Sequence, residues 1–209
     1  RRALGLARSV TPRAALAGAA NTLVLEDGAA VLADNTDLPG AVAAVRERYD
    51  GPVAAATVLG GGATAASMLL ALGEIGCLSA RLLVREPSRA EETLQVVEAF
   101  ERGPEVTVGT LGDPVGAVDL VVSTIPAVAQ TPWLVRSADP CPVVFEVVYD
   151  PWPTPLAAAA LRSGRILVSG LDLLINQAAL QVELMTGQPA PLAAMRAAGE
   201  GALAARTQS

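Results

Sequence analysis

The chain has 209 residues, of which 52% are hydrophobic, and this is enough to bury one large domain or one domain with part of another. Its 15 basic and 21 acidic residues give a net charge of -6, and it has only two Trp, two Tyr and two Phe. This balance argues against nucleic acid as a partner, because no basic stripe with interleaved aromatic residues is present. No run of about 18 apolar residues occurs, so no membrane span and no membrane partner is predicted.

The basic residues are all arginine, and the sequence contains no histidine. Histidine acid–base catalysis, Ser-His-Asp triads, histidine-ligated metals and lysine bases are therefore excluded within this chain, and no metal site is predicted. Two cysteines, Cys77 and Cys141, do not make a disulfide scaffold. Because the N-terminus also lacks the pattern of a secretory signal, a cytoplasmic location is expected.

The first fifty residues combine helical and extended patterns. A short helical stretch is predicted near residues 3–7, and a hairpin is predicted from residues 22–25 and 30–33 around the turn Glu26-Asp27-Gly28. Apolar residues at helical spacing then predict a helix over residues 39–49.

Buried-type strands and helices alternate through the middle of the chain. Strands are predicted over residues 53–59, 80–84, 105–108, 120–123, 143–148 and 166–168, helices between them over 63–72, 88–100 and 154–162, and two further helices over 171–185 and 191–205. Such alternation predicts a parallel sheet covered on both faces, with ligands at the carboxyl ends of its strands.

A glycine cluster, Gly60-Gly61-Gly62 followed by Ala63, interrupts an apolar run and is followed by an alanine-rich helical pattern. The spacing G-x-G-x-x-A is a tolerated form of the dinucleotide-binding fingerprint, in which glycine allows a tight turn and a close approach to pyrophosphate at a helix N-terminus. Alone it is a weak signal, because glycine triplets also form ordinary loops. The four residues are nevertheless predicted to bind a dinucleotide.

Six motifs, taken in order, resemble those of the shikimate dehydrogenase family, and the resemblance covers the chain from about residue 4 to residue 200. They are the A-x-N-T-like segment 18–22, the D-N-T-D segment 34–37, the glycine turn 60–63, the Ser-Thr-Ile-Pro segment 123–126, the Y-x-P-x-x-T-like segment 149–155 and the G-x-x-M-L-x-x-Q-A-like segment 170–178, where Leu173 replaces methionine.

The resemblance implies an α/β fold: a Rossmann-like doubly wound parallel sheet that binds NAD(P), with the remnant of an α/β substrate-binding domain. Residues 38–169 would form the NADP-binding domain, and residues 1–37 and 170–209 would form the remnant. The family's preceding α/β segment, with a serine pair for the substrate carboxylate, has no counterpart in this sequence. We therefore expect the N-terminal part of the substrate domain to be missing.

The resemblance also implies an NADPH-dependent oxidoreductase that acts on a CH–OH group. The reaction would be the reversible reduction of 3-dehydroshikimate to shikimate, in the biosynthesis of chorismate and aromatic amino acids. By position, Asn21, Asp37 and Gln177 would hydrogen-bond the ring hydroxyls, and Tyr149 would close the site. The alternatives are turn or capping roles for Asn21 and Asp37, simple surface exposure for Gln177 and a core position for Tyr149.

The family's catalytic pair consists of a lysine and the aspartate that corresponds to Asp37. That lysine would lie shortly before the segment leading to Asn21, where this chain begins with Arg1 and Arg2. A guanidinium is a poor substitute because it does not readily give up its proton near neutral pH. We therefore expect Asp37 to be the only member of the pair, and the chain as written to bind dinucleotide but barely turn over.

The choice of dinucleotide depends on the segment after the second strand of the main sheet. Arg85 and Arg89 match the family's clamp for the NADP phosphate, whereas Glu86 would repel a phosphate unless it points into solvent. NADP is favoured and NAD remains the alternative. Thr124, and Gly170 through its backbone, are expected to line the nicotinamide pocket.

Two other functions fit the same sequence. One is an NAD-preferring quinate/shikimate dehydrogenase, and the other is a non-catalytic dinucleotide-binding module, should the missing N-terminus be natural. The expected partner is a small-molecule substrate, and a homodimer is left open.

Overall fold

The computed structural model describes residues 3–207, apart from the side chains of Arg89, Arg206 and Thr207. Its strands are β1 (Ser9–Val10), β2 (Thr22–Glu26), β3 (Ala29–Asp34), β4 (Ala55–Leu59), β5 (Ser79–Val84), β6 (Glu105–Thr110), β7 (Leu120–Ser123), β8 (Val143–Glu146) and β9 (Ile166–Ser169). Its α-helices are α1 (Pro12–Leu16), α2 (Asp37–Arg48), α3 (Ala63–Glu74), α4 (Glu91–Glu98), α5 (Pro132–Ser137), α6 (Pro155–Arg162), α7 (Gly170–Thr186) and α8 (Leu192–Thr207). Short 3-10 helices cover Leu4–Leu6, Pro87–Arg89 and Ala127–Ala129.

Six parallel strands form the larger sheet, in the order β6-β5-β4-β7-β8-β9. The chain builds outward from β4 in one direction, returns to the other side of β4 and builds outward again. The order therefore reverses between β4 and β7, and the crevice at this switch point is where open α/β sheets bind ligands. This topology confirms the predicted Rossmann-like, doubly wound fold.

Alternating strand residues contribute side chains to two hydrophobic cores, one on each face of this sheet. Val58, Leu82 and Val122 pack on one face with residues of α2 and α3, and Leu173 of α7 joins them. Their neighbours Leu83 and Val121 belong to the other core, with residues of α5 and α6. Helices thus cover both faces, as the near-continuous apolar strands predicted.

A smaller sheet has the order β1-β3-β2, in which β2 and β3 form the predicted antiparallel hairpin. Its turn is two residues long, and Asp27 and Gly28 both have positive φ, 50° and 78°. This is the conformation that matches the twist of the strands. The edge strand β1, parallel to β3, was not predicted, since its two exposed residues carry no periodic signal.

Several predicted element bounds change in the structure. The helix predicted over residues 88–100 is a 3-10 turn ending at Arg89, followed by α4 up to Glu98. The strand predicted over 143–148 ends at Glu146, where the chain leaves the sheet. The short helices α1 and α5 were not predicted. Within residues 3–207, no helix is long and apolar enough to cross a membrane.

Candidate functional site

The glycine turn joins β4 to α3 at the switch point of the large sheet. Gly60 has φ +106°, and a Cβ there would lie 2.3 Å from Oγ1 of Thr124, the residue that follows β7. Thr124 Oγ1 in turn donates to the carbonyl of Leu59 at 2.8 Å. Gly60 is therefore required both by backbone conformation and by the close approach of the next loop.

Gly61 and Gly62 differ in what surrounds them. A Cβ on Gly61 would lie 2.7 Å from Cγ1 of Val84, whereas a Cβ on Gly62 would meet nothing within 4 Å and the residue has an ordinary φ of -90°. Gly62 is the N-cap of α3. Neither its backbone angles nor its contacts with the described residues require glycine at this position. Ala63, the first residue of α3, is exposed beside it. An open helix N-terminus of this kind can accept a phosphate.

An open cleft lies beside the turn, against the ends of β4, β5 and β7. It is lined by Gly60, Gly61, Val84, Arg85, Glu86, Leu111, Ile125, Pro126 and Ala129. Arg85 and Glu86 are both exposed and both line this cleft, so the structure places the attractive and the repulsive charge together. The side chain of Arg89 lies outside the described residues.

A polar cluster joins residues that are distant in sequence. Asn21 Nδ2 donates to Oδ1 of Asp37 at 2.8 Å and lies 3.4 Å from Oε1 of Gln177. Thr36 Oγ1 donates to the same Gln177 oxygen at 3.1 Å. These contacts bring together the three side chains predicted to bind substrate hydroxyls, from the residue before β2, from α2 and from α7.

The helix α2 is capped by Asn35, whose Oδ1 accepts from the backbone N–H groups of Asp37 and Leu38 at 3.1 and 3.2 Å. Asp37 is therefore not needed as the cap, because Asn35 satisfies the first donors of the helix. Burial raises the pKa of Asp37 above its ordinary value, although the hydrogen bond from Asn21 acts in the opposite direction. Asn21 does have a structural role as well, since its Oδ1 accepts from the backbone N–H of Thr36 at 2.9 Å.

The polar cluster forms one wall of a second pocket, which lies between the two sheets. This pocket is lined by Asn21, Asp37, Thr64, Val147, Tyr149, Gly170, Leu173, Leu174, Gln177 and Gln181. Asp37, Thr64 and Gly170 lie in the first turns of α2, α3 and α7, so three helices begin at this pocket.

Tyr149 and Gly170 face each other in this pocket. Tyr149 is 40% exposed, which excludes the core position considered for it. A Cβ on Gly170 would lie 2.1 Å from the carbonyl oxygen of Val147 and 3.1 Å from Cδ1 of Tyr149. Gly170 thus lets α7 begin in direct contact with the loop that carries Tyr149.

Sequence reasoning missed two contributors to the polar cluster. Thr36 is fully buried, and its hydroxyl bonds the side chains of both Asn21 and Gln177, yet we assigned no role to it within the D-N-T-D motif. Gln181 donates to Thr22 Oγ1 at 3.0 Å and lines the pocket. Its position four residues after Gln177, on the same face of a helix, is a signal that could have identified it.

A partly buried ion pair supports the segment that precedes Asp37. Asp34 accepts from Thr11 Oγ1 at 2.6 Å and is paired with the guanidinium of Arg13. In the part of the chain that the structure describes, no group of three His, Cys, Asp or Glu side chains could hold a metal ion. The arrangement of donors and acceptors is instead suited to orienting hydroxyl groups.

Comparison with protein families and curated proteins finds similarity over nearly the whole chain. The family model "Shikimate 5'-dehydrogenase C-terminal domain" matches residues 170–198. A "Shikimate dehydrogenase (NADP(+))" of Moorella thermoacetica is 37% identical over 90% of this chain and 66% of its own length. A relative with the same description from Oleidesulfovibrio alaskensis is 34% identical over 94% of this chain and 70% of its own length. The chain thus spans about two thirds of the length of these relatives.

Three solved structures have the same fold. The shikimate dehydrogenase of Mycobacterium tuberculosis is 38% identical with a TM-score of 0.82, and the match covers 95% of this chain and 74% of the other. The quinate dehydrogenase of Corynebacterium glutamicum, solved with NAD, is 25% identical with a TM-score of 0.85, covering 93% and 72% of the two chains. A shikimate 5-dehydrogenase of Thermus thermophilus, solved with NADP(H) and shikimate, is 25% identical with a TM-score of 0.77, covering 96% and 75%.

Proposed function

Because this chain belongs to the shikimate dehydrogenase family, we propose that it binds NADP in the cleft beside the glycine turn and shikimate or 3-dehydroshikimate in the adjoining pocket. The reaction would be the reversible transfer of a hydride between the nicotinamide and the ring carbon that carries the hydroxyl, as a step in the biosynthesis of chorismate and aromatic amino acids. Residues 38–169 would carry the dinucleotide, and residues 1–37 and 170–209 would carry the substrate.

The observation that carries this proposal is the meeting of Asn21, Asp37 and Gln177 in one pocket. A polyol ring is recognised by amide and carboxylate groups because each hydroxyl then has a fixed partner, and a ring that lacks the hydroxyl leaves that partner unpaired. The pocket also contains Thr64, in the first turn of the helix that follows the glycine turn. The nicotinamide and the ring would therefore meet there.

The chemistry that these residues can perform is incomplete. Asp37 can hold the hydroxyl and, through its carboxylate, stabilise a neighbouring proton donor, but a group that removes the hydroxyl proton is also required. The family resemblance assigns that role to a lysine, and this sequence contains none. We therefore infer that the 209-residue chain binds both ligands and turns them over slowly.

Gln177→Ala tests the substrate half of the proposal. We expect it to weaken shikimate binding to the NADP-saturated protein by about tenfold, because one hydrogen-bonding partner of the ring is lost, while NADP affinity stays unchanged. Isothermal titration calorimetry measures both affinities. Gln188→Ala, in the exposed turn after α7, is the matched control and should change neither. Equal shikimate binding by Gln177→Ala and the parent protein would contradict this placement of the substrate.

A second candidate is an NAD-dependent quinate dehydrogenase. It is favoured by the fold similarity to the Corynebacterium glutamicum enzyme and by the acidic Glu86 in the dinucleotide cleft. Titration of quinate and shikimate with each dinucleotide distinguishes the two candidates. Binding of a dinucleotide with neither ring compound would instead favour the non-catalytic module.

A further inference from the structure

A buried hydrogen-bonded pair, Glu146 and Gln130, lies behind both clefts. Glu146 is the last residue of β8 and is 0% exposed, and Gln130 is 5% exposed. Gln130 Nε2 donates to Glu146 Oε2 at 2.7 Å. Neither residue lines the dinucleotide cleft or the substrate pocket.

The carboxylate of Glu146 holds the loop of residues 147–154, which connects β8 to α6, in place by hydrogen bonds. Its Oε1 accepts from the backbone N–H of Val148 at 3.1 Å, and its Oε2 accepts from Thr154 Oγ1 at 2.8 Å. One carboxylate therefore holds this loop near both of its ends. Tyr149, which lines the substrate pocket, lies between the two attachment points.

Gln130 does the same for the loop of residues 124–131, which connects β7 to α5. Its Nε2 also donates to Ser123 Oγ at 3.2 Å, and its Oε1 accepts from the backbone N–H of Leu156 at 2.9 Å. This loop contains Thr124, which abuts Gly60, and it contributes Ile125 and Pro126 to the dinucleotide cleft. We call these two loops the rim loops.

The pair keeps a carboxyl group in the interior at an energetic cost. Burial raises the pKa of Glu146, and hydrogen bonds from Thr154, Val148, Gln130 and Ser123 act in the opposite direction. Among the ion pairs of the described residues, none includes Glu146. A buried polar network of this kind fixes one arrangement of the groups that it joins, because every alternative leaves a donor or acceptor unpaired.

We propose that Glu146 and Gln130 are positioning residues that hold the two rim loops, and with them Thr124 and Tyr149, against the dinucleotide cleft and the substrate pocket. The expected effect of this pair on NADP affinity rests on the proposed function, whereas the expected ordering of the loops does not. The two can therefore be tested separately.

Glu146→Gln is the first test variant. Both carboxylate oxygens accept hydrogen bonds, so whichever way the new amide is turned, its NH₂ group faces a donor, either Val148 N–H or Gln130 Nε2. We expect the rim loop of residues 147–154 to loosen. NADP affinity should then fall by about tenfold, because only a fraction of the molecules has both rim loops in the conformation that binds NADP.

Trp152 provides a readout that requires no ligand. It lies within the loop of residues 147–154 and is half-buried, and the only other tryptophan is Trp133. In a Trp133→Phe background, the fluorescence of Trp152 reports this loop alone. Glu146→Gln should shift its emission to longer wavelength and increase its quenching by acrylamide.

The exchanged pair, Gln130→Glu with Glu146→Gln, is the decisive variant. The new carboxylate at position 130 can accept from the amide at 146, from Ser123 and from the Leu156 N–H, which lies at the start of α6 where a negative charge is favourable. We expect the exchange to restore both the Trp152 emission and the NADP affinity. Failure to restore either one would overturn the proposal.

Thr57→Val is the control for a loss of stability alone. It removes a buried hydrogen bond, from Thr57 Oγ1 to the carbonyl of Val115 at 2.8 Å, in β4 and away from the rim loops. It should lower the melting temperature without changing the Trp152 emission. If Glu146→Gln changes only the melting temperature, as Thr57→Val does, the pair is merely structural. If the parent protein binds no NADP, the proposed function fails, and the emission data still decide the role of the pair.

Discussion

Gly60 and Gly62 occupy the same turn, yet only Gly60 is required by the fold. Alanine at position 60 would need a positive φ and would bring Cβ to 2.3 Å from Thr124 Oγ1, whereas alanine at position 62 fits without contact. We expect Gly60→Ala to destabilise the protein by about 1–3 kcal/mol, which lowers the melting temperature by roughly 2–12 °C.

Gly62→Ala should leave the melting temperature unchanged and weaken NADP binding, because a methyl group there obstructs the approach of a pyrophosphate to α3. Thermal unfolding and NADP titration of both variants check this pair of expectations. Unchanged NADP affinity in Gly62→Ala would mean that the phosphate does not approach this residue.

Glu86 determines the balance between NADP and NAD if its charge faces the bound ligand. It lines the same cleft as Arg85, so Glu86→Thr should raise the preference for NADP by removing repulsion of the 2′-phosphate. The ratio of the two dissociation constants is the measurement. Glu98→Thr, which makes the same charge change on the exposed side of α4, should leave the ratio unaltered. If Glu86→Thr also leaves it unaltered, Glu86 points away from the ligand.

The residue types at the candidate site could be predicted from the sequence because they stand in ordered motifs. Asn21, Asp37 and Gln177 were selected in this way, and the structure brings them together. The roles of Thr36 and Asn35 could not be assigned, since which oxygen caps α2 and which joins the polar cluster depends on side-chain directions that only the folded backbone determines.

The packing of α2 against α7 determines where Gln177 lies. The two helices approach each other closely at Gly40, because a Cβ there would lie 2.8 Å from Cβ and 2.9 Å from the backbone nitrogen of Gln177. Gly40→Ala should therefore push the helices apart, lower stability by about 1–3 kcal/mol and weaken shikimate binding. Thermal unfolding and shikimate titration measure the two effects.

The control for this prediction is Gly201→Ala, in α8, where a Cβ would meet nothing within 4 Å. It should raise stability by up to about 1 kcal/mol, because alanine is the better helix former. A stable Gly40→Ala protein with normal shikimate affinity would show that the two helices can separate without moving Gln177 from the pocket.

The sequence predicted long periodic elements well and short ones poorly. The helix after Thr154 begins and ends as expected, with Thr154 Oγ1 accepting from Ala157 N–H and Gly164 past its end at φ +66°. In contrast, β1 and α5 are two and six residues long, too short to show a hydrophobic period. Tertiary contacts determine such elements, and a single sequence does not encode those contacts locally.

The free energy of unfolding of the whole molecule should depend on pH because of two carboxylates, Asp34 and Asp172. Burial raises the pKa of each. At Asp34 this is outweighed by hydrogen bonds from Arg13 and Thr11 with the charge of Arg13, and at Asp172 by hydrogen bonds from Arg48, Ser169 and Arg196, so both pKa values lie below the ordinary range. Each carboxylate thus stabilises the folded state at pH values above its unfolded pKa of about 3.9. This contribution is lost as the pH falls through the lower, folded pKa.

Urea unfolding between neutral pH and about pH 3 measures this loss. Asp172→Asn should unfold more easily at neutral pH and show a shallower dependence on acid, because Arg48 and Arg196 lose the charge of Asp172 at every pH, although Arg196 keeps its ion pair with Glu47. Asp37 and Glu146 have raised pKa values and act with the opposite sign, favouring the folded state as they become protonated. If the pH dependence of unfolding is the same in Asp172→Asn and the parent protein, the ion pairs of Asp172 do not govern acid unfolding.

The three helices that begin at the proposed substrate pocket have an electrical consequence. Peptide dipoles give each helix N-terminus a partial positive charge, and Asp37, Thr64 and Gly170 bring three such ends to one cavity. For an oxygen atom placed there, the helix ends contribute a positive potential, which favours its anionic form and offsets part of the negative charge of Asp37. In the proposed reaction, the backbone of this fold would therefore supply part of the field that an alkoxide needs, a field to which no lysine of this sequence contributes.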